Sequence, residues 1–419
     1  MTEPAKGAAA ATPPLSKLAV FRHRGFSLLV FGKIFAVFAN QMQVVAVGWQ
    51  IYNLTNDPIN LGFVGLAGFM PAILLILVTG HVADRYDRRR VVSASFAVQT
   101  LCALLYLGFT AFDLQQVWLM FAIVILFGAA RAFYTPALQS LLPNLVPNEE
   151  YPNAIAWNSS TSKIAIITGP AAGGLLFGYF GPEAVYGICA LLYLVATLMF
   201  FTIPTTTQNR RGKEPPSWRS LMAGFHYIRN KPVVLGAMTM DMFAVLFSGL
   251  PAMLPIYARD ILHMGPEGLG FLRSGPAIGG LVSALALTQI PAMRRSGLVL
   301  FVSLSLFGLA TLIFAYSTLF IVSMAALILL GASDVISVYI RLTLIQMLTP
   351  DEMRGRVSAV NSVFVTASNE LGDFRAGIMA SMFGAMTAAA VGGFAVLGVA
   401  ALWSRWFPDL RNADRLDGK

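Results

Sequence analysis

Apolar blocks close to the length of a membrane-crossing helix recur twelve times along this chain, and they leave it few ways to fold. A hydrocarbon core about 30 Å thick takes about 20 helical residues. Inside that core every backbone N–H and C=O must find its partner within the protein. The blocks fall near 26–50, 59–80, 91–112, 115–139, 153–179 and 183–203, then near 232–258, 267–290, 297–316, 318–345, 357–383 and 387–407. Composition agrees. Of 419 residues 12% are charged, against about 25% in soluble chains, whose surfaces need charge. The expectation is an all-α membrane protein with twelve transmembrane helices.

One long polar connection, TTTQNRRGKEPPSWRSLMAGFHYIRNK, divides the spans six and six. The expected organisation is a tail over 1–25, a six-helix half over 26–203, a linker over 204–231, a second half over 232–407 and a tail over 408–419. Within the linker, Trp218, Leu221, Met222, Phe225 and Ile228 share one helical face. That spacing predicts an amphipathic helix from Ser217 to Asn230 lying on a membrane surface. The halves also carry a repeat. PNEEYPNAIAWNS from Pro147 and PDEMRGRVSAVNS from Pro350 match at Pro147/Pro350, Glu149/Glu352, Ala156/Ala359, Asn158/Asn361 and Ser159/Ser362. Each copy stands just before the fifth span of its half. Paired six-helix halves are a plan that many secondary transporters use.

The net charge of +9 raises the question of a nucleic-acid partner. The basic residues recur between apolar blocks rather than in one patch, so membrane topology accounts for them and nucleic acid is not expected. The N-terminal tail, the turn at Arg85–Arg90, the linker, the turns holding Arg294, Arg295, Arg341, Arg354 and Arg356, and the C-terminal tail fall on one side; Arg259 stands alone on the other. That bias places both termini in the cytoplasm. The stretch MTEPAKGAAAATPPLSK has no apolar core and no cleavage site, so no removed signal peptide is expected. Cys102 and Cys189 sit in apolar runs and read as packed thiols. His23, His81, His226 and His263 lack ligand spacing, and no Gly-x-x-x-x-Gly-Lys loop is present. Neither a metal, a cofactor, an ATP site nor an enzyme is expected.

GHVADRYDRRR, residues 80–90, lies between the second and third spans. Gly80, Asp84, Arg85, Arg88 and Arg89 resemble the G-x-x-x-D-R-x-G-R-R/K loop of the major facilitator superfamily, with Asp87 where the family carries glycine. Topology alone explains the arginines, but Asp84 opposes the positive bias. A carboxylate there can face a positive helix N-terminus between the halves, while Arg85 and Arg88 can pair with carboxylates or lipid phosphates. In the fifth span, AIITGPAAGG resembles the superfamily's G-x-x-x-G-P-x-x-G-G antiporter motif. Gly169, Pro170, Gly173 and Gly174 match, and Ala165 replaces the first glycine. Small residues at this spacing let a neighbouring helix approach to backbone contact. Stretches including VVAVGWQIYNLTNDP, DMFAVLFSGLPAMLPIYARDIL and NELGDFRAG extend the resemblance to the enterobactin-exporter and macrolide-efflux branch.

Charges within spans are costly and mark function by default. The resemblance implies that helices 1, 4, 7 and 10 line a central cavity, which brings forward Lys33, Arg131, Asp241 and Asp334. Lys33, Asn40 and Gln43 share one face of the first span. Glu370, Asp373 and Arg375 lie on the eleventh, with Arg375 directed away from the two acids and needing either a partner on another helix or access to a cavity. Lys163 and Arg273 are weaker candidates. Trp49, Tyr52, Phe133, Met238 and Met253 offer an adaptable pocket lining or simply pack. Asp241 and Asp334 rank above Glu370 and Asp373 as proton carriers, because cavity water gives a proton its path.

The resemblance implies a monomeric, proton-coupled exporter of small amphipathic molecules, siderophore or drug-like, working by alternating access in a bacterial inner membrane. Its partners would be a small-molecule substrate, protons and the lipid bilayer. A symporter or uniporter, or a non-transporting receptor or lipid-handling protein on the same fold, remains as the alternative.

Overall fold

The computed structural model describes residues 18–204, 218–289 and 295–413. The expected N-terminal tail up to Lys17, the polar part of the linker and the last six residues lie outside the described residues. The described chain is helical throughout, and nine of its helical segments are long and apolar enough to cross a membrane. Three further helical features fall where the other spans are expected. Helix α6 (Tyr151–Phe201) is broken at Gly181, where φ of +81° ahead of Pro182 turns the chain back and makes two spans. Helices α2 (Pro58–Leu74) and α3 (Ile76–Arg85) follow one another with an interruption at Leu75. Helix α13 (Asp351–Phe383) is long enough but too polar to register as a lipid-facing span.

The other spans are α1 (Arg24–Thr55), α4 (Arg88–Ala111), α5 (Val117–Leu141), α10 (Pro266–Leu287), α11 (Ser296–Tyr316), α12 (Phe320–Leu348) and α14 (Ala385–Trp406). The seventh is the pair α8 (Pro232–Ser248) and α9 (Leu250–Ile256), joined at Gly249. Helix α13 starts several residues before the apolar pattern does. Asp351 and Glu352 occupy its first turn, where acids favour the positive end of a helix. Helix α7 (Trp218–Arg229) is the expected amphipathic linker helix. Its face is divided: Met222 and Phe225 are exposed, whereas Ile228 is buried against Val234, Ile345 and Val357. Tyr227 donates to the Leu348 carbonyl at 2.9 Å, so the helix is tied to the second half as well as facing outward.

One apolar core runs through residues 20–203 around Tyr106, Tyr186, Tyr193 and Phe200. A second joins α8, α11, α12 and α14. A third mixes both parts of the chain: Val45, Trp49 and Tyr52 pack with Met253, Tyr257 and Leu269. This shared core lies at the end of the bundle remote from the first and last helical residues. Two seams of small residues extend it. A Cβ on Gly62 of α2 would sit 3.0 Å from the Phe374 backbone, and one on Gly174 of α6 would sit 2.9 Å from Gly270 Cα. Polar contacts between the halves gather at the same remote end. Tyr52 donates its hydroxyl to Asp260, Arg259 reaches Asn53 at 3.1 Å and Asn56 at 2.7 Å, and Ser381 donates to Asp57 at 2.9 Å.

Arg341 corrects a sequence expectation. It is not in a turn but inside α12, buried to 3% exposure, with an ionic partner on another helix. Membrane burial of an arginine is tolerated when the charge is matched within the protein, and here it is.

Candidate functional site

The site begins with the break in the seventh span. Gly249 adopts φ +50°, Pro251 follows, and the last carbonyls of α8 are left without helical donors. Arg375 of α13 supplies them. Its Nε donates to the Leu246 carbonyl at 3.0 Å, and a terminal nitrogen donates to Phe247. Of the two courses open to Arg375, a partner on another helix or a cavity, the structure shows the first, and the partner is backbone. A Cβ on Gly372 would lie 2.8 Å from the Val245 carbonyl, so α13 can approach the break closely only with glycine there.

Two cavities flank the break. The larger, about 400 Å³, lies among α6, α8, α9, α10, α12 and α13, with largely apolar walls and Lys163, Ser248, Asp334, Asn369 and Asp373 among its polar groups. The smaller, about 240 Å³, draws on both halves and holds Asn40, Gln43, Arg131, Arg273, Glu370 and Asp373. A Cβ on Gly65 would lie 2.9 Å from Glu370 Oε2; glycine therefore makes the room in which that carboxylate sits. Among the described residues none of these acids and bases forms an ion pair. Arg273 donates weakly to the Pro251 carbonyl at 3.5 Å, and its Nε is buried without a partner. Gln43 Oε1 is likewise unpartnered. The charges face cavity space rather than each other, an arrangement open to water, protons and a polar ligand.

Asp241 departs from the expected cavity lining. It is 7% exposed, pairs with Arg341 at 3.0 Å, and lines neither cavity. Arg341 also donates to Asn361 Oδ1 at 3.3 Å. Lys33 departs too: its ammonium donates to Asn158 Oδ1 at 3.0 Å on α6. Asn40, Gln43, Arg131, Asp334, Glu370 and Asp373 do reach cavities. The aromatic and methionine candidates mostly pack, with Met238 and Met253 at 1% and 0% exposure. Arg341 was missed as a site residue, although Asp334 and Arg341 are two helical turns apart and share a face.

The loop at residues 80–90 is a set of helix caps. Asp87, in the place of the family's glycine, N-caps α4 by accepting from the Arg89 amide at 3.1 Å, and its φ of −61° needs no glycine. Arg89 is held twice, by Asp87 at 2.7 Å and by the Ile203 carbonyl at 2.7 Å. Arg88 donates to the Ser140 carbonyl at 3.1 Å. Arg88 thus bonds a helix-end carbonyl rather than the carboxylate or phosphate expected for it, whereas Arg89 bonds both a carboxylate and a carbonyl. Gly80 lies in α3, Arg85 is exposed at its end, and the Asp84 side chain lies outside the described residues. In the helix-5 motif, Cβ atoms on Gly169 and Gly173 would lie 2.7 Å from Gln41 and Met42 of α1, while Gly174 meets α10 across the seam. Pro170 is buried inside the same helix, which is thus clasped between one helix of each half.

Comparison with known proteins gives this architecture its family. Residues 29–372 match the Major Facilitator Superfamily profile. The chain is 25% identical over 395 residues to the enterobactin exporter EntS of Shigella dysenteriae serotype 1 and equally to that of Escherichia coli strain K12, covering 93% of each chain. Its fold is similar to a bacterial homologue of the iron transporter ferroportin in an inward-facing state, with a TM-score of 0.70 at 18% identity over 91% of this chain and 98% of that one. It is also similar to a bacterial homologue of the lysosomal transporter Spinster in an inward-facing, occupied conformation, with a TM-score of 0.70 at 15% identity over 93% and 98%. The chain is therefore a multi-pass membrane transporter for a small molecule, not an enzyme, and it belongs to the major facilitator superfamily.

Proposed function

We propose that this transporter is a proton-coupled exporter of small amphipathic molecules, with both termini in the cytoplasm of a bacterial cell and a single chain as the working unit. The observation that carries the reading is the set of unpaired acids and bases on the two cavity walls, beside a bundle whose halves are joined at the remote end. With the termini inside, that junction is the outer gate, and the cavities belong to an inward-facing state. Rocking the halves about the small-residue seams would exchange the closed end for the open one. Carboxylates facing cavity water can take up and release protons, whereas Asp241, satisfied by Arg341, is suited to holding α8 against α12. Asp334, Glu370 and Asp373 are accordingly the proton carriers in this reading, with Asn40, Gln43, Arg131 and Arg273 toward substrate.

Export is favoured over import by the helix-5 motif and by the relatives named as exporters. Enterobactin is the first substrate to test, followed by amphipathic drugs. Vesicles containing the purified protein and an imposed pH gradient separate uphill from downhill movement. The expected result is uphill export in the unaltered chain and downhill exchange alone in Asp334→Asn or Glu370→Gln. Uphill export that ignores the pH gradient would sink proton coupling.

A further inference from the structure

We propose that Asp373 is the group through which the two cavities communicate, so that its protonation, set from one cavity, alters access to the other. The inference rests on the proposed proton-coupled transport and names the residue where coupling occurs. Two residues, Pro251 and Asp373, line both cavities. Pro251 has nothing to titrate. It contributes a carbonyl, and that carbonyl accepts the Arg273 guanidinium at 3.5 Å. The partition between the cavities is therefore the broken stretch of the seventh span, with Asp373 on one side and Arg273 beside it.

The surroundings of Asp373 favour such a role. From α9 the Ala252 amide is directed at its carboxylate, and from α10 comes the charge of Arg273. On its own helix stands Glu370, with Arg131 of α5 beyond. Through the larger cavity it shares space with Asp334 of α12 and Lys163 of α6. From α2 it meets Gly62 and Gly65, which bring no charge. An ionised Asp373 attracts Arg273 and keeps that guanidinium on the partition. A proton on Asp373 removes the attraction. Arg273, whose Nε has no partner and whose terminal nitrogen bonds Pro251 only at 3.5 Å, is then free to leave that carbonyl and open the partition. Asp334 touches the larger cavity alone and Glu370 the smaller alone, so each serves as a control for one side.

The test uses the full chain in lipid vesicles without substrate. Ala277→Cys reports on the larger cavity and Val44→Cys on the smaller; Cys102 and Cys189 are buried. Modification by a small neutral thiol reagent is followed from about pH 5 to pH 9, corrected for thiolate fraction with the unfolded chain. Asp373→Asn is expected to remove the pH dependence at both cysteines, with Asp373→Glu restoring it. Asp334→Asn and Glu370→Gln should each leave a pH dependence in place at both cysteines. Should Asp373→Asn fail to reach the membrane, Arg273→Gln is expected to hold both cysteines at their low-pH reactivity throughout. Loss of pH dependence at one cysteine alone, or unchanged profiles in both the Asp373 and Arg273 variants, overturns the proposal. Because no export is measured, failure of the transport reading would appear separately in the vesicle gradients.

Discussion

Asn158 and Asn361 stand at matching positions of the internal repeat, and each accepts a hydrogen bond from a cation on another helix. Lys33 donates to Asn158 at 3.0 Å and Arg341 to Asn361 at 3.3 Å. The two halves thus keep one device and load it differently. In the first half the cation belongs to α1 and is held by the amide; in the second it belongs to α12 and is also paired with Asp241.

The paired half should be the more sensitive to loss of charge. Asp241→Asn leaves Arg341 buried without its counter-ion, a change that costs about 3–5 kcal/mol. The detergent-purified variant should unfold at a clearly lower temperature, and adding Arg341→Met should recover part of the loss. Unfolding of the single variant at the temperature of the unaltered chain would show that Arg341 has another partner.

The loop arginines should separate by how they are held. Arg89 bonds both Asp87 and the Ile203 carbonyl, and lysine cannot reproduce that planar fork. Losing one charge-assisted bond costs about 1.5–3 kcal/mol. Arg85→Lys, at an exposed site, should be close to neutral. Thermal unfolding of the two variants side by side distinguishes them, and equal stability would mean that the caps contribute nothing measurable.

Gly169→Leu and Gly173→Leu should each abolish transport by forcing α6 away from α1. Overpacking of this kind costs about 1–3 kcal/mol or more. Vesicle transport at matched protein amounts is the measurement. Activity in both variants would mean that α1 can retreat without harm.

The remote end should open when its polar contacts are removed. Arg259→Ala deletes the contacts to Asn53 and Asn56, and Tyr52→Phe deletes the one to Asp260. Bonds to charged groups are worth about 1.5–3 kcal/mol each. A cysteine at buried Leu61 should react about tenfold faster in either variant. A rate equal to that of Leu61→Cys alone would place the closure in the apolar core.

Length, periodicity and charge placement determined most of the architecture. A block of about 20 apolar residues has one economical fold in lipid, and the positions of Gly181, Pro182 and the linker divide such blocks without reference to neighbours. The amphipathic pattern of 218–229 was legible for the same reason: one helix face is a local property. The motif glycines were legible as places of close approach, since glycine without a Cβ signals a neighbouring backbone.

What each charge meets was decided only by tertiary structure. Sequence placed Arg341 in a turn and Asp241 in a cavity, yet packing of α8 against α12 buries both and pairs them. Asp87 departs from the family's glycine, and only the tertiary structure shows that it caps α4. Asp373 ranked below Asp241 because its helix belongs to the seam between halves. The break at Gly249, held open by Arg375, creates cavity space on both sides of that seam. Periodicity reports the direction of a side chain from its own helix axis. It carries no information about which helix stands opposite, and in a membrane interior that neighbour decides whether a charge is neutralised, capped or left facing water.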